Sequence, residues 1–208
     1  MTKKGILTVI SGFSGAGKGT IVRELVDRYG YAVSISATTR DPRAGEQDGV
    51  HYFFKTKEEF EQMIADGALI EYARYVSNYY GTPRSYVEEQ LAAGHDVILE
   101  IEIQGARKIK EQYPDAVLLF VTTNDAQTLK DRLTGRGTES EEVIRNRLLR
   151  AAQEAEGVDE YDYLLVNDQL EDAVDRLHNI IQSEHFAMRR NLGFIHEIQA
   201  QAAKFVEE

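Results

Sequence analysis

A glycine-rich segment near the beginning of the chain has the spacing of a phosphate-binding loop. Gly12 is followed after four residues by Gly17-Lys18. Glycines let successive backbone N–H groups turn toward one anion, a helix N-terminus attracts negative charge, and a lysine reaches the outer phosphates. The segment lies between an apolar run, 6–10, and a predicted helix, 20–29. The pattern predicts a nucleoside-triphosphate site formed by Gly12, Ser14, Gly15, Ala16, Gly17, Lys18, Gly19 and Thr20.

The same glycines fit two other motifs incompletely. Residues 12–16 lack the final glycine of a nucleophile elbow, and residues 15–20 lack the last glycine of a dinucleotide-binding fingerprint. A turn that only caps a helix is the remaining alternative, and the agreement of strand, spacing and helix favours phosphate binding. Gly19 occupies the position of the usual magnesium-coordinating serine or threonine. We therefore expect Thr20 to contribute weakly, and nucleotide oxygens and water to hold the magnesium ion.

A second basic cluster could hold another phosphate. Arg40 and Arg43 flank Pro42, which stiffens the turn, and two guanidinium groups can grip one phosphate through several N–H groups. Tyr52 and the Tyr79-Tyr80 pair add hydroxyl groups on aromatic rings. A surface loop with solvated arginines is the alternative. A kinase needs such a second cradle, whereas a GTPase should carry an Asn-Lys-x-Asp segment, which the run after residue 121 does not match.

The elements that must position these residues alternate between strands and helices. Apolar, β-branched runs predict strands at 6–10, 97–99, 117–121 and, more weakly, 164–166, and helical patterns occupy 20–29, 106–112, 125–134 and 171–186. This alternation predicts an α/β fold with a parallel sheet flanked by helices. Two regions interrupt it. Residues 34–84 resemble antiparallel strands around a short helix, 58–65, and residues 124–157 are highly charged.

Composition excludes several classes of function. The 208 residues carry 24 Lys and Arg against 35 Asp and Glu, a net charge of −11 that argues against a nucleic-acid partner. With no cysteine, the chain has no disulfide, thiolate nucleophile or iron–sulfur cluster. The longest apolar run, 116–121, is far too short to cross a membrane, and the first residues lack the apolar core of a signal peptide. We expect a cytoplasmic protein without a membrane partner.

The histidines and the C-terminal tail are less informative. The five histidines show no metal-ligand spacing, and we interpret them as structural or surface residues. Beyond Arg190 the tail is amphipathic, with an apolar set formed by Leu192, Ile195, Ile198 and Phe205. These side chains could pack on a neighbouring subunit, which would make a homo-oligomer, or on the parent domain.

In order and spacing, several segments together resemble those of guanylate kinases. They are 12–20, 36–43, 45–52, 70–72, 78–82 and 98–105. The resemblance extends from Ile6 to about Phe186. Thr-Thr-Arg-x-Pro-Arg-x-Gly-Glu together with Tyr-Tyr-Gly is its most specific part, and it separates this family from adenylate and thymidylate kinases.

The resemblance implies a phosphate-loop kinase that transfers a phosphoryl group from ATP to GMP with Mg²⁺. It implies a core of residues 1–33, 85–123 and 158–208, an inserted mixed-sheet GMP-binding region, 34–84, and a helical lid, 124–157. Glu100 is then expected to organise magnesium through water. By resemblance, the GMP phosphate is held by Arg40, Arg43, Tyr52 and Tyr80, the guanine is read by Ser36, Glu71 and Thr82, and Glu102 completes the GMP side.

The resemblance also assigns residues to the ATP side. Arg132, Arg136 and Arg147 match positions that approach the phosphates, and Asn167 matches the loop beside the adenine. The catalytic set is Lys18, Arg40, Arg136 and Arg147. The sequence leaves two rivals: a protein-binding scaffold module, which typically has a degraded phosphate loop, and a kinase for another nucleoside or sugar phosphate.

The assignments of Glu71 and of the Glu100–Glu102 pair each have a physical reason, and each has a simpler alternative. A carboxylate at Glu71 offers two acceptors to the N1–H and N2 amino donors of guanine, but the residue would otherwise pass as a rim glutamate on an edge strand. Glu100 and Glu102 are spaced by two, which places them on the same side of a strand that continues through both. Alternatively, both carboxylates only face solvent at the sheet edge.

Overall fold

Five parallel strands form the central sheet of the computed structural model, which describes residues 4–43, 45–75, 77–135, 149 and 157–205. The spatial order is β2-β7-β1-β8-β9. In chain order the strands of the protein are β1 (Leu7–Gly12), β2 (Ala32–Val33), β3 (Ala37–Thr38), β4 (Phe53–Phe54), β5 (Leu69–Tyr75), β6 (Asn78–Pro83), β7 (Val97–Glu100), β8 (Val117–Thr122) and β9 (Tyr163–Val166). The predicted parallel α/β fold is confirmed, although the two-residue β2 was not predicted.

Helices cover both faces of this sheet. They are α1 (Lys18–Tyr29), α2 (Lys57–Ala65), α3 (Arg84–Ala92), α4 (Ile103–Gln112), α5 (Ala126–Thr134), α6 (Leu170–Glu184) and α7 (Met188–Lys204), with a 3₁₀ helix at Val158–Glu160. Alternate residues of β1 enter opposite core layers: Ile10 packs with α1 and α6, and Val9 packs with α3 and α4. Burial on both faces explains why the central strands are predominantly apolar.

A second sheet, in the order β4-β3-β6-β5, lies within the predicted insertion. Its small core is Ala37, Phe60 and Leu69. Helix α2 begins with a reciprocal capping box in which Thr56 and Glu59 bond each other's backbone N–H groups. The mixed sheet that the resemblance implies is confirmed: β3 and β4 are parallel, and the other neighbouring pairs are antiparallel. The loop 39–52 is long enough to return the chain to the same end of the sheet before β4 begins.

The C-terminal helices differ from the single helix expected over 171–186. Helix α6 ends at Glu184, whose buried carboxylate accepts a 2.6 Å hydrogen bond from Tyr163 and pairs with Arg189 and Arg190. Helix α7 then starts at Met188, and every residue from Leu192 to Phe205 is exposed. The tail therefore does not pack on its own domain within the described residues. Within those same ranges, the protein has no helix of the length and apolarity that a bilayer span needs.

Candidate active site

The phosphate loop can curl tightly because its glycines occupy positions where a side chain would clash or would strain the backbone. A Cβ on Gly12, at φ 147°, would fall 2.1 Å from the Val121 carbonyl oxygen. Gly15 and Gly17 both have φ 91°, a left-handed conformation that favours glycine. Lys18 Nζ donates to the carbonyl oxygens of Gly12 at 2.6 Å and Phe13 at 3.2 Å. The ammonium group is thus held at the concave side of the loop, at the N-terminus of α1.

Two residues brace the loop from behind. Asn167 follows β9 and donates from Nδ2 to the Ala16 carbonyl oxygen at 2.7 Å. Arg132, on α5, donates to the Asn167 carbonyl oxygen at 3.0 Å and to Ala16 at 3.4 Å. A Cβ on Gly17 would lie 2.4 Å from Asn167 Nδ2, so only glycine permits this brace. Both residues assigned to the ATP side therefore reach the loop, and the Asn167 side chain is committed to loop backbone.

The predicted acceptor cradle is organised by a carboxylate. Arg40 Nη2 lies 2.9 Å from both carboxylate oxygens of Glu46, and the Arg43 backbone N–H donates to Glu46 at 2.7 Å. The Arg40 guanidinium carbon lies 5.4 Å from the Tyr52 ring centroid, and the Tyr52 and Tyr80 rings are 6.2 Å apart. Arg40, Tyr52 and Tyr80 thus form one cluster, with Arg43 exposed at its edge.

A buried carboxylate lies in the small sheet. Glu71, on β5, is only 7% exposed and accepts a 2.8 Å hydrogen bond from the Thr82 hydroxyl on β6. Burial raises the pKa of Glu71, while the Thr82 bond and the nearby Lys108 lower it. Ser36 is half-buried just before β3. An acceptor pair with little competition from water is suited to a ligand that presents adjacent N–H donors.

Glu100 lies beside the phosphate loop. A Cβ on Gly19 would lie 3.5 Å from Glu100 Oε2, so this carboxylate adjoins the start of α1. Glu100 is exposed, yet nearby protein atoms raise its pKa; the Lys18 ammonium group lowers this pKa and the Glu102 carboxylate raises it. Glu100 is therefore placed beside the lysine of the loop.

Glu102 corrects one expectation. Strand β7 ends at Glu100, and Glu102 is the exposed residue that precedes α4. The two carboxylates therefore do not share one side of a strand. The chain turns here because Ser11 donates to the Ile101 carbonyl oxygen at 2.7 Å and α4 starts at Ile103. Glu102 is brought to the same end of the sheet by this turn instead of by strand alternation.

Some predicted residues lie outside the described ranges, and some contacts were not predicted. Arg136 and Arg147, expected to approach the phosphates, fall among the residues that the structure does not describe. Glu46 was expected only as part of the family motif, with no role of its own. Glu46 lies six residues after Arg40 and three residues after Arg43. This spacing of opposite charges within a turn could have identified it as their partner. Lys108 and Gly105, which adjoin Glu71, belong to a distant helix and gave no local signal.

The side chains beside the phosphate loop suit a magnesium ion that is coordinated in part by a bound nucleotide. Among the described residues no group of three or more His, Asp or Glu side chains could hold a metal ion. Mg²⁺ usually keeps several waters and binds one or two carboxylates plus substrate phosphates. Glu100, beside the phosphate loop, provides such a carboxylate, and Thr20 is exposed in the first turn of α1.

Comparisons with known proteins agree on one family. The family model described as guanylate kinase matches residues 4–184. The chain is 54% identical over 189 residues to a guanylate kinase of Oceanobacillus iheyensis, covering 90% of this chain and 92% of that one. It is 50% identical over 200 residues to a guanylate kinase of Streptococcus mutans, covering 95% of each chain.

A solved structure shares the fold as well. The crystal structure of guanylate kinase from Anaplasma phagocytophilum superposes with a TM-score of 0.71 at 30% identity, covering 90% of each chain. The family match spans the phosphate loop, the small sheet with Glu71 and the braces at Arg132 and Asn167. Most of the chain is thus shared with these relatives, in sequence and in fold. The chain belongs to the guanylate kinase family.

Proposed function

We propose that the protein transfers the γ-phosphoryl group of ATP to GMP, giving ADP and GDP. The observation that carries the proposal is the buried Glu71–Thr82 pair in the same small sheet as the Arg40 cluster. Together they offer a base-reading carboxylate and a phosphate cradle to one nucleotide. The phosphate loop with Lys18 offers a separate site for a triphosphate.

Selection of guanine follows from the chemistry of Glu71. An ionised carboxylate accepts hydrogen bonds from both N1–H and the N2 amino group of guanine. Adenine presents an acceptor at N1 and no amino group at C2, so the buried carboxylate would lose its partners. Sites built on such hydrogen bonds can discriminate by ~10⁴–10⁵. In the proposed site Ser36 and Thr82 complete the base contacts, and Glu102 lies on the GMP side.

Catalysis would rest on positioning and charge neutralisation. Phosphoryl transfer asks for little covalent chemistry from the protein. Lys18 would neutralise the outer phosphates, and Arg40, Arg43, Tyr52 and Tyr80 would hold the acceptor phosphate in line. Glu46 presents the Arg40 guanidinium to that phosphate. We expect Arg136 and Arg147 to add positive charge around the transferring group.

We propose that magnesium binds together with ATP. Glu100 would hold it through water, with a weaker contribution from Thr20. When bound, the ion neutralises charge on the phosphate oxygens. We further propose a cytoplasmic enzyme whose partners are the two nucleotides, without nucleic acid or membrane. We also propose that the protein can form a homo-oligomer.

A substrate panel tests the function directly. ADP release would be followed in a coupled assay with ATP and, in turn, GMP, AMP, UMP or dTMP. We expect turnover with GMP and at least a hundredfold lower kcat/KM with the others, a conservative part of the range that hydrogen-bonding sites reach. Comparable turnover with AMP would reject guanine selection, and no turnover with any acceptor would favour a binding module.

A further inference from the structure

Helix α4 of the core carries a stripe of residues that holds strand β5 in place. Lys108 Nζ donates to the Tyr72 carbonyl oxygen at 2.7 Å, and Gln112 Nε2 donates to the Ile70 carbonyl oxygen. Gly105 lies three residues before Lys108, on the same face of the helix, and faces the Glu71 carboxylate. The core helix thus contacts the three consecutive residues 70–72 at the edge of the small sheet.

Gly105 leaves space for the Glu71 carboxylate. A Cβ at this position would lie 3.1 Å from Glu71 Oε2 and 3.2 Å from Ile101 Cδ1. Such contacts are tighter than ordinary van der Waals distances, so the carboxylate would have to shift by a few tenths of an ångström. The Ile101 side chain and the Thr82 hydrogen bond limit where it could go.

Backbone conformation does not explain the glycine. Gly105 lies inside α4 and is not among the glycines with positive φ. In a helix interior, glycine is less favourable than alanine. A buried helical glycine that no backbone conformation requires, next to a buried carboxylate, is explained by the room that the carboxylate needs.

We infer that Gly105 is a positioning residue for base selection: its missing side chain lets Glu71 occupy the place from which it reads guanine. The inference rests on the proposed function, since it concerns the base that Glu71 would bind. It makes the selectivity of the small sheet depend on a residue of the core. Lys108 acts at the same contact, because its charge favours the ionised carboxylate.

The test is Gly105→Ala, measured by GMP binding calorimetry and by steady-state kinetics. We expect a roughly tenfold weaker Kd and higher KM for GMP, since a small misplacement of a positioning group is costly. The KM for ATP should stay within twofold of the parent value. The Tm should stay equal or rise, because alanine favours the helix. Gly193→Ala is the matched control, since this exposed helical glycine has open space around its Cβ position.

A double variant separates a displaced carboxylate from general damage. Glu71→Asp shortens the side chain by one methylene and should relieve the contact with a new Cβ. We expect Glu71→Asp to cost at least threefold less GMP affinity in the Gly105→Ala protein than in the parent, a coupling typical of touching residues. Additive losses would overturn the inference.

Other outcomes are equally decisive. An unchanged Kd for GMP in Gly105→Ala, in a parent that selects GMP, would overturn the positioning role but leave the function intact. A lower Tm with equal losses for ATP and GMP would reduce Gly105 to a packing residue. If the parent itself neither binds nor phosphorylates GMP, the proposed function fails first.

Discussion

At the scale of single residues, Glu71 illustrates how burial creates selectivity. In water a glutamate would accept hydrogen bonds from solvent and discriminate weakly between bases. At 7% exposure Oε1 accepts the Thr82 hydrogen bond and the charge of Lys108 acts on the carboxylate, so a ligand must provide further donors or leave acceptor capacity of a buried charge unused. The same burial raises the pKa of Glu71, so the proposed recognition of guanine should depend on pH.

The pH dependence of GMP binding should carry the signature of Glu71. Only the ionised carboxylate accepts two N–H groups, so the KM for GMP should rise as the pH falls through the raised pKa of the free protein. The GMP phosphate also titrates near pH ~6. Glu71→Gln keeps that phosphate titration and removes the carboxylate. The difference between the two profiles measures Glu71, and coincident profiles would move base reading elsewhere.

Lys18 provides a second prediction at this scale. Lys18→Ala should lower kcat by about 10²–10³, the usual loss for one preorganised charge or donor. The Tm should change little, since the hydrogen bonds of Lys18 to the described part of the chain go to carbonyl oxygens of the loop. Lys130→Ala, on the exposed face of α5, is the control and should leave both quantities unchanged. A Lys18→Ala protein with parental kcat would show that the loop does not bind the transferred phosphate.

Sequence could predict residues whose signal is local and could not predict those whose partners are distant. The phosphate loop was visible because its glycines, lysine, strand and helix are contiguous. Glu71 was proposed only through family resemblance, since nothing nearby shows that β5 buries it. Gly105 and Lys108 meet Glu71 through packing of α4 on β5, a contact between distant segments that spacing along the chain does not encode.

At the scale of elements, β9 and α5 position the phosphate loop. Asn167 leaves β9 and Arg132 leaves α5, and both bond the backbone of the loop. Loop shape therefore depends on elements more than 100 residues later in the chain. Gly12, Gly15 and Gly17 allow the loop to curl. The hydrogen bonds from Asn167 and Arg132 stabilise one conformation of it.

Removing the brace should loosen the loop. Asn167→Ala deletes the 2.7 Å bond to the Ala16 carbonyl oxygen, which should cost about 1–2 kcal/mol in the free energy of unfolding. We expect the KM for ATP to rise severalfold while the KM for GMP stays near its parental value. Asp168→Ala, at the exposed neighbouring position, is the control. Equal effects of both variants on ATP would argue against a specific brace.

Strong patterns predicted elements well, and short or weakly patterned ones were missed. The strands β1, β7 and β8 are predominantly apolar and were placed correctly, as was α1. Helix α3 was not predicted because it buries only Val87 and Leu91, too few to mark a periodic face. The mixed sheet was expected from the resemblance, but which two strands pair in parallel was not, because two-residue strands do not specify their partners.

At the scale of the whole molecule, the C-terminal helix stands apart from the catalytic core. The family match ends at residue 184, and residues 192–205 are all exposed. Arg189 and Arg190 nevertheless neutralise the buried Glu184, so the beginning of α7 belongs to the fold.

Truncation after Asn191 should separate these parts. Because residues 192–205 are all exposed, we expect a Tm within about 2 °C of the parent and unchanged kcat with ATP and GMP. Truncation after Glu184 is the contrasting variant. It should lower the Tm clearly, because it removes Arg189 and Arg190, the ion-pair partners of the buried Glu184 carboxylate. A large loss of Tm after the first truncation would mean that residues 192–205 pack on something, and light scattering of the parent would show whether that is another copy.

Direct transfer between two nucleotides requires that the phosphate loop and the Arg40 cluster face one cleft. A bisubstrate ligand that joins adenosine to guanosine through five phosphates tests it most directly. We predict that one molecule binds per chain, competes with both ATP and GMP, and loses at least about tenfold in affinity in either Lys18→Ala or Arg40→Ala. Competition with only one nucleotide, or two molecules bound per chain, would contradict the account.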